Sequence, residues 1–390
     1  SEDNKINVEV YTLGNGMTVL LNEDHNESSV FGAIAVKGGG KQDPEDATGI
    51  AHYLEHMLFK GTAELGTVDY ETEKIFLDSI EILYDQLGTI SNTDQRLSIQ
   101  KTINDLNIEA AKYAIPNEFD RLMESIGGTG VNAFTNDDMI VYISSFPGHQ
   151  INKWLDINSH RFVKPVFRLF QSELETVYEE KNRSMDNPII KLIEEYLFNF
   201  FKKHPYGQQT VIGTVEHLKN PSLSKMKEYY KTYYVANNMY LFLSGDFDAN
   251  GLKEKIEQTF GQLKYGPDPS FVNVQEDPFQ GREVVSKRFT PIRIGVIGFR
   301  IPNHRHHDYE TLKVIQNLFN NRSSTGLLDK LSVDNKLIMT QAIPDLAGAD
   351  LGDMAFLFIP KLIFQTFNGA ENLVLGEIEK VKDGSFDEEL

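Results

Sequence analysis

Cysteine is absent from this chain of 390 residues. Disulfides, thiolate zinc sites and cysteine nucleophiles are therefore excluded, and any metal must be held by His, Asp or Glu. Long apolar runs are also missing: nothing approaches the ~18 residues that span a membrane as a helix. Basic residues are the minority, 38 against 57 acidic, for a net charge of −19. Phosphate binding needs a basic face, so nucleic acid is not an expected partner. The acidic excess has a plain reading, solubility, and a sharper one, an acidic cavity that favours basic substrates. The opening stretch SEDNKINVEV has neither a basic segment nor an apolar one. It reads as a mature or trimmed start, with an extracytoplasmic (periplasmic) location expected ahead of a cytoplasmic one.

What is present is enough for sizeable cores. Hydrophobic residues make up 40% of the chain and 25 are Phe; the length suggests two domains. Apolar residues alternate on both sides of Asn15-Gly16, a dipeptide that favours a tight hairpin turn. SSVFGAIAVKGGG reads as a strand and residues 47–59 as a helix. Residues 69–113 read as two charged helices, with Ile75, Phe76, Ile80, Leu83 and Leu87 on one broad face. Further helices are expected over 117–128, over HQINKWLDINSHRF, and over 168–203 with a break at Asn187-Pro188. Residues 264–284 carry three prolines and few periodic apolar residues, and read as a linker. Strands and helices mix without regular alternation. The expected fold is α+β: two similar domains, each a mainly antiparallel sheet packed with helices, with a helical insertion at about 66–115 in the first. The domains are expected at 1–263 and 285–390. Ser385 and Glu388 form a capping-box signature opening a helix that the chain cuts at Leu390, so the second domain reads as truncated.

The chemistry concentrates in GIAHYLEHMLFKGT, residues 49–62. On a helix His52 and His56, four apart, lie on one face and can aim imidazole nitrogens at one ion. Glu55 sits close to that face, placed to hold a metal-bound water and take its proton. Zinc suits such ligands and lowers the pKa of its water towards ~7. H-x-x-E-H is the inverted zinc-peptidase order. The plain alternative is two surface histidines and a salt-bridged glutamate. A catalytic zinc needs a third protein ligand. The acidic helical stretch FQSELETVYEEKNRSMDNP offers Glu173 and Glu180, seven apart on one face, one of which could bind the ion while the other orients a histidine. That stretch could equally be a solvated acidic face. NHRHH, with His304, His306 and His307, reads as an exposed loop rather than a second metal site. His204 in KHPYG reads as structural.

The stretch 49–62 resembles the signature helix of the pitrilysin family of zinc peptidases, which includes insulin-degrading enzyme and mitochondrial processing peptidase. Glu173 and Glu180 match that family's downstream E-x6-E. NAFTNDDMIVY, KHPYGQQTVIG and YYVANNMYLFLSGDFD match further stretches. The likeness covers most of 6–248 and continues more loosely over 285–390. It implies His52, His56 and Glu180 as ligands of one zinc ion per chain and Glu55 as the general base. It implies Glu173 as the partner that orients a ligand histidine from behind. Glu179, directly before Glu180, is the competing ligand. Asn132 and Ala133 would lie on an edge strand that pairs with the substrate backbone. The spacing from His56 to Glu180 departs from the family, being longer than usual by the helical insertion.

The expected function is that of a zinc metalloendopeptidase acting on peptides or unfolded polypeptides. The expected partner is a homologous second half, or a partner subunit, that closes a chamber. Two alternatives are a non-catalytic subunit of the same family and an acidic interaction protein with an incidental motif.

Overall fold

The computed structural model describes residues 7–271, 274–344 and 348–386. The chain forms two compact units, one of residues 1–183 and 209–273, the other of 184–208 and 274–390.

The first unit is built on a six-stranded sheet. Its strands are β1 (Glu9–Thr12), β2 (Thr18–Glu23), β3 (Ser29–Lys37), β4 (Thr129–Thr135), β5 (Met139–Pro147) and β6 (Met239–Gly245). They lie in the order β1-β2-β6-β3-β5-β4. Only β2 and β6 pair in parallel; the other pairs are antiparallel. Asn15-Gly16 turns β1 into β2, with Gly16 at φ 87, and the Asn15 amide donates to Phe260 O and Leu263 O, 2.9 Å each. Strand alternation buries one face of the sheet: Val30, Ile34 and Val36 of β3 and Met239, Leu241 and Leu243 of β6 are all buried. Trp154 lies flat on that face. A Cβ at Gly32 would meet its ring at 2.4 Å, and its indole N–H donates to Ser144 Oγ, 2.8 Å. Only glycine lets β3 pass beneath the indole.

Helices α1 (Ile50–Met57), α2 (Tyr70–Thr89), α3 (Thr93–Ala111), α4 (Glu118–Ser125), α5 (Ile151–Val163) and α6 (Phe170–Asp186) follow, with α9 (Val215–Lys219), α10 (Leu223–Tyr233) and α11 (Ala249–Phe260) later in the chain. The pair α2–α3 is the expected insertion. Its inward side chains Ile80, Tyr84, Leu87 and Ile103 are buried in the main core of the unit. The pair therefore packs on the unit rather than projecting from it. Tyr84 donates to the Gln171 amide oxygen of α6, and its ring stands 5.0 Å from Phe170, the first residue of that helix.

The second unit holds α7 (Pro188–Phe200), α8 (Pro205–Gln208), β7 (Gly295–Ile301), α12 (Tyr309–Phe319), α13 (Leu327–Val333), β8 (Met339–Pro344), β9 (Gly352–Ile359) and α14 (Phe367–Asp383). Its sheet runs β7-β9-β8, all antiparallel. That repeats the β3-β5-β4 arrangement of the first unit, with helices between the first two strands, as the similarity of the two domains requires. The helical break falls where expected: Asn187 caps α7 by accepting from Ile189 N, 2.9 Å, and Pro188 takes the first helical position, where its missing N–H costs nothing.

The compact units differ from the expected 1–263 and 285–390. Residues 184–208 pack with the second sheet, for a physical reason. Gly298 of β7 leaves room for α7, since a Cβ there would meet the Tyr196 hydroxyl at 2.5 Å. Tyr196 donates to Asp353, 2.9 Å, and Arg300 donates to Phe200 O, 3.0 Å. Nor is 264–284 free of contacts: Phe279 packs on Phe200, 5.3 Å between centroids, and Glu276 accepts from the backbone of Lys203 and His204. The helix expected to open at Ser385 falls largely on residues 387–390, outside the described residues. Ser385 itself closes α14, donating from its backbone to Lys380 O, 2.8 Å.

One buried ion pair organises the approach to α1 and α6. The Arg168 guanidinium and the Glu73 carboxylate are 1% and 0% exposed and 3.0 Å apart. Breaking such a pair strands the surviving charge. Glu73→Ala is expected to lower the unfolding free energy by roughly 3–5 kcal/mol, read from urea titrations followed by circular dichroism. A loss below about 1 kcal/mol, the scale of an exposed pair, would contradict this reading.

Candidate metal centre

The helix α1 is held at its N-terminus by a buried carboxylate. Asp43 accepts from Gly49 N at 2.6 Å and Ala51 N at 2.9 Å, two of the amides a helix start leaves unpaired. Gly49 is left-handed, φ 92, and a Cβ there would meet Ile212 O at 2.9 Å. The glycine of GIAH is thus fixed by close passage of the 212–213 backbone. Tyr53 faces the other way: its hydroxyl donates to Phe170 O and its ring lies 4.7 Å from that of Phe170. This contact seats α1 against the start of α6.

The crossing brings His52, His56 and Glu180 together. His52 Nε2 and His56 Nε2 are 3.3 Å apart, and Glu180 Oε2 lies 3.6 and 3.5 Å from them. Three ligands on one tetrahedral zinc, at bonds of ~2.0–2.1 Å, stand about 3.3–3.4 Å from each other. The spacing and the His, His, Glu donor set fit that ion. Glu179 points away: it is exposed and reaches Arg183 at 3.8 Å. Glu173 lies behind His56, accepting from its Nδ1 at 2.8 Å. Its other oxygen meets the Lys60 ammonium. Nδ1 of His52 is buried with no partner among the described residues.

Glu55 is buried beside the histidines, and Thr135 donates to its Oε2 at 2.6 Å. Burial pushes its carboxyl above the ordinary range, partly offset by the Thr135 hydrogen bond and the charge of His56. Glu173 is held low despite burial, through hydrogen bonds from His56 and Lys60. Asn132 and Ala133 sit on β4, which among the described residues is an edge strand paired with β5 alone, opposite Ile143 and Tyr142. Asn132 is exposed and Ala133 half-buried.

The other histidine motifs differ. His306, His307 and Asp308 could also hold an ion, but all three are exposed. His204 is buried in the second unit, its ring 4.2 Å from that of Tyr206. Sequence reasoning missed Thr135, Lys60 and Arg168. The first two lie inside quoted motifs, NAFT and FKGT, yet nothing local shows which carboxylate each meets.

The chain matches known proteins over nearly its whole length. Residues 18–74 and 98–214 match the family described as Insulinase (Peptidase family M16), and residues 222–390 match the Peptidase M16 inactive domain. The interruption, 75–97, covers most of α2 and the start of α3. A zinc protease of Helicobacter pylori, PqqE, is 25% identical over 300 residues, covering 74% of this chain and 65% of that protein. A protease of Helicobacter pylori of known structure superposes with a TM-score of 0.76 at 21% identity, over 98% of this chain and 82% of that one. Pitrilysin superposes with a TM-score of 0.67 at 19% identity, over 99% of this chain but 37% of its own. The chain spans about half to two thirds of the length of the first curated relatives it matches.

The two histidines titrate in opposite directions in the metal-free chain. Burial, then the charge of His56, pushes His52 down to about 4. His56 is raised: burial works against its charge, but Glu173 and the nearby carboxylates outweigh it. The unfolded His52 takes a proton near 6.5 while the folded one does not, so its contribution to stability is lost as pH falls from 6.5 towards 4. The contribution of His56 is present below 6.5 and lost as pH rises through its folded pKa. An NMR titration of the metal-free chain is expected to show one imidazole near pH 4 and the other above the ordinary value. Two midpoints at the ordinary value would contradict the described burial and pairing.

Proposed function

Because this chain belongs to the insulinase (M16) family of peptidases, we propose that it is the zinc-binding half of a metalloendopeptidase acting on peptides or unfolded polypeptides. The observation that carries the reading is the set of three donor atoms, 3.3–3.6 Å apart, with Glu55 on the same helix. His52, His56 and Glu180 would hold one zinc ion, which supplies Lewis acidity and lowers the pKa of a water to ~7.

The chain's own residues supply the rest. Thr135 fixes Glu55 Oε2, leaving Oε1 to take a proton from the attacking water and pass it to the leaving amine. The raised affinity of Glu55 for protons suits both halves of that exchange. Among the described residues the outer edge of β4 is unpaired, and its Thr135 reaches Glu55. A substrate strand added there would pair with the backbone of Asn132 and Ala133, leaving side-chain choice loose. Because the family relatives are longer, a homologous second half or partner subunit is proposed to close over this face. That closure would exclude water and strengthen the electrostatics of the centre.

Glu55→Gln keeps size and hydrogen bonding but cannot take a proton. In the complete protein this variant is expected to retain zinc and lose at least ~10²-fold in peptide turnover. Turnover at the wild-type rate would remove Glu55 from the mechanism. Loss of zinc instead would make it a ligand.

A further inference from the structure

We propose that Lys60 is a positioning residue for the metal centre, acting through Glu173 to fix the tautomer and aim of His56. The inference rests on the zinc-binding reading above and concerns how one ligand is made ready for the ion.

Of the two imidazoles only His56 is anchored. A metal-binding histidine must carry its proton on the nitrogen remote from the ion, and a carboxylate accepting that proton's hydrogen bond selects this tautomer. Glu173 Oε1 does so for His56 at 2.8 Å; the corresponding atom of His52 has no partner among the described residues. A carboxylate held at one oxygen can still rotate about its terminal torsion, which is broad. Glu173 is held at both, with Lys60 on Oε2. Its two oxygens thus divide between the imidazole and the ammonium, and the imidazole plane follows.

The stem of Lys60 is itself fixed. Its carbonyl accepts from Arg168 Nη1 at 2.7 Å. Arg168 also donates to Leu65 O at 2.8 Å and Thr62 O at 2.6 Å, and it is gripped by the buried Glu73 of α2. A continuous set of contacts therefore leads from α2, through the loop that follows α1, to Glu173 and His56. Lys60 is the residue at which backbone anchoring becomes a side-chain contact with the site. The Lys60 and Glu173 side chains are 20% and 13% exposed, so losing the ammonium leaves a largely buried carboxylate and is expected to cost stability as well as zinc affinity. A merely structural role would leave zinc affinity untouched.

The test is a thermodynamic cycle on zinc affinity, measured by competition with a chromophoric chelator, with unfolding midpoints recorded alongside. Lys60→Met and Glu173→Gln are each expected to weaken zinc by about 10- to 100-fold. The double variant is expected to bind no worse than Glu173→Gln alone, because Lys60 has no route to the ion except that carboxylate. Lys60→Arg should recover most of the loss. Wild-type affinity in Lys60→Met, or losses that multiply in the double variant, would overturn the proposal. A second readout does not need the metal. By 15N NMR at a pH high enough for the His56 imidazole to be neutral, wild-type His56 should carry its proton on Nδ1, and Lys60→Met should shift population to Nε2. If the wild-type chain takes up no zinc, the zinc reading fails. The tautomer then decides on Lys60 alone, an unchanged distribution overturning it.

Discussion

Arg168 is buried to 1% exposure, and every donor of its guanidinium is paired. Its Nε and one Nη meet Glu73 at 3.0–3.3 Å. The remaining donors take the carbonyls of Lys60, Thr62 and Leu65. Arg168 stands two residues before α6, and those carbonyls belong to the loop just after α1. A planar five-donor fork therefore joins the end of α1, which carries His52 and His56, to the start of α6, which carries Glu180. The candidate centre lies across this junction. His52 and His56 face one way because of helical spacing, but Glu180 meets them only where α6 crosses α1.

Such a junction has a cost. A guanidinium and a carboxylate both leave water, and their attraction compensates only when every donor is paired. Here the loop supplies the missing acceptors, so the carbonyls of Lys60, Thr62 and Leu65 are tied to the ion pair. Lys60 in turn reaches Glu173 through its ammonium. The aromatic contacts of Phe170 with Tyr53 and Tyr84 act in parallel, adding an apolar clamp at the same crossing. Helix α2 is part of this arrangement, since Glu73 and Tyr84 both come from it.

Much of the centre was legible because it is periodic. Four-residue spacing in HYLEH and seven-residue spacing from Glu173 to Glu180 define faces, and the facing side chains have ligand chemistry. The turn at Asn15-Gly16 and the break at Asn187-Pro188 were legible because glycine admits a positive φ and proline fixes φ and restricts the residue before it. The contacts between faces were not. Periodicity says that Ile80 and Leu87 are buried, not that α2 lies on α6. It cannot show that Arg168 and Glu73, 95 positions apart, share a pocket, nor that Thr135 reaches Glu55. The packing of 184–208 with the second sheet was hidden for a related reason: it depends on Gly298 lacking a side chain a hundred residues downstream.

The proposed centre requires that one ion join α1 to α6 through Glu180. Zinc-edge anomalous diffraction from crystals of the zinc-loaded protein tests it directly. The account predicts a single anomalous peak with His52 Nε2, His56 Nε2 and a Glu180 oxygen ~2.0–2.2 Å away and Glu55 outside the coordination sphere. A peak bound by both histidines but not by Glu180, or one centred elsewhere in the chain, would contradict it.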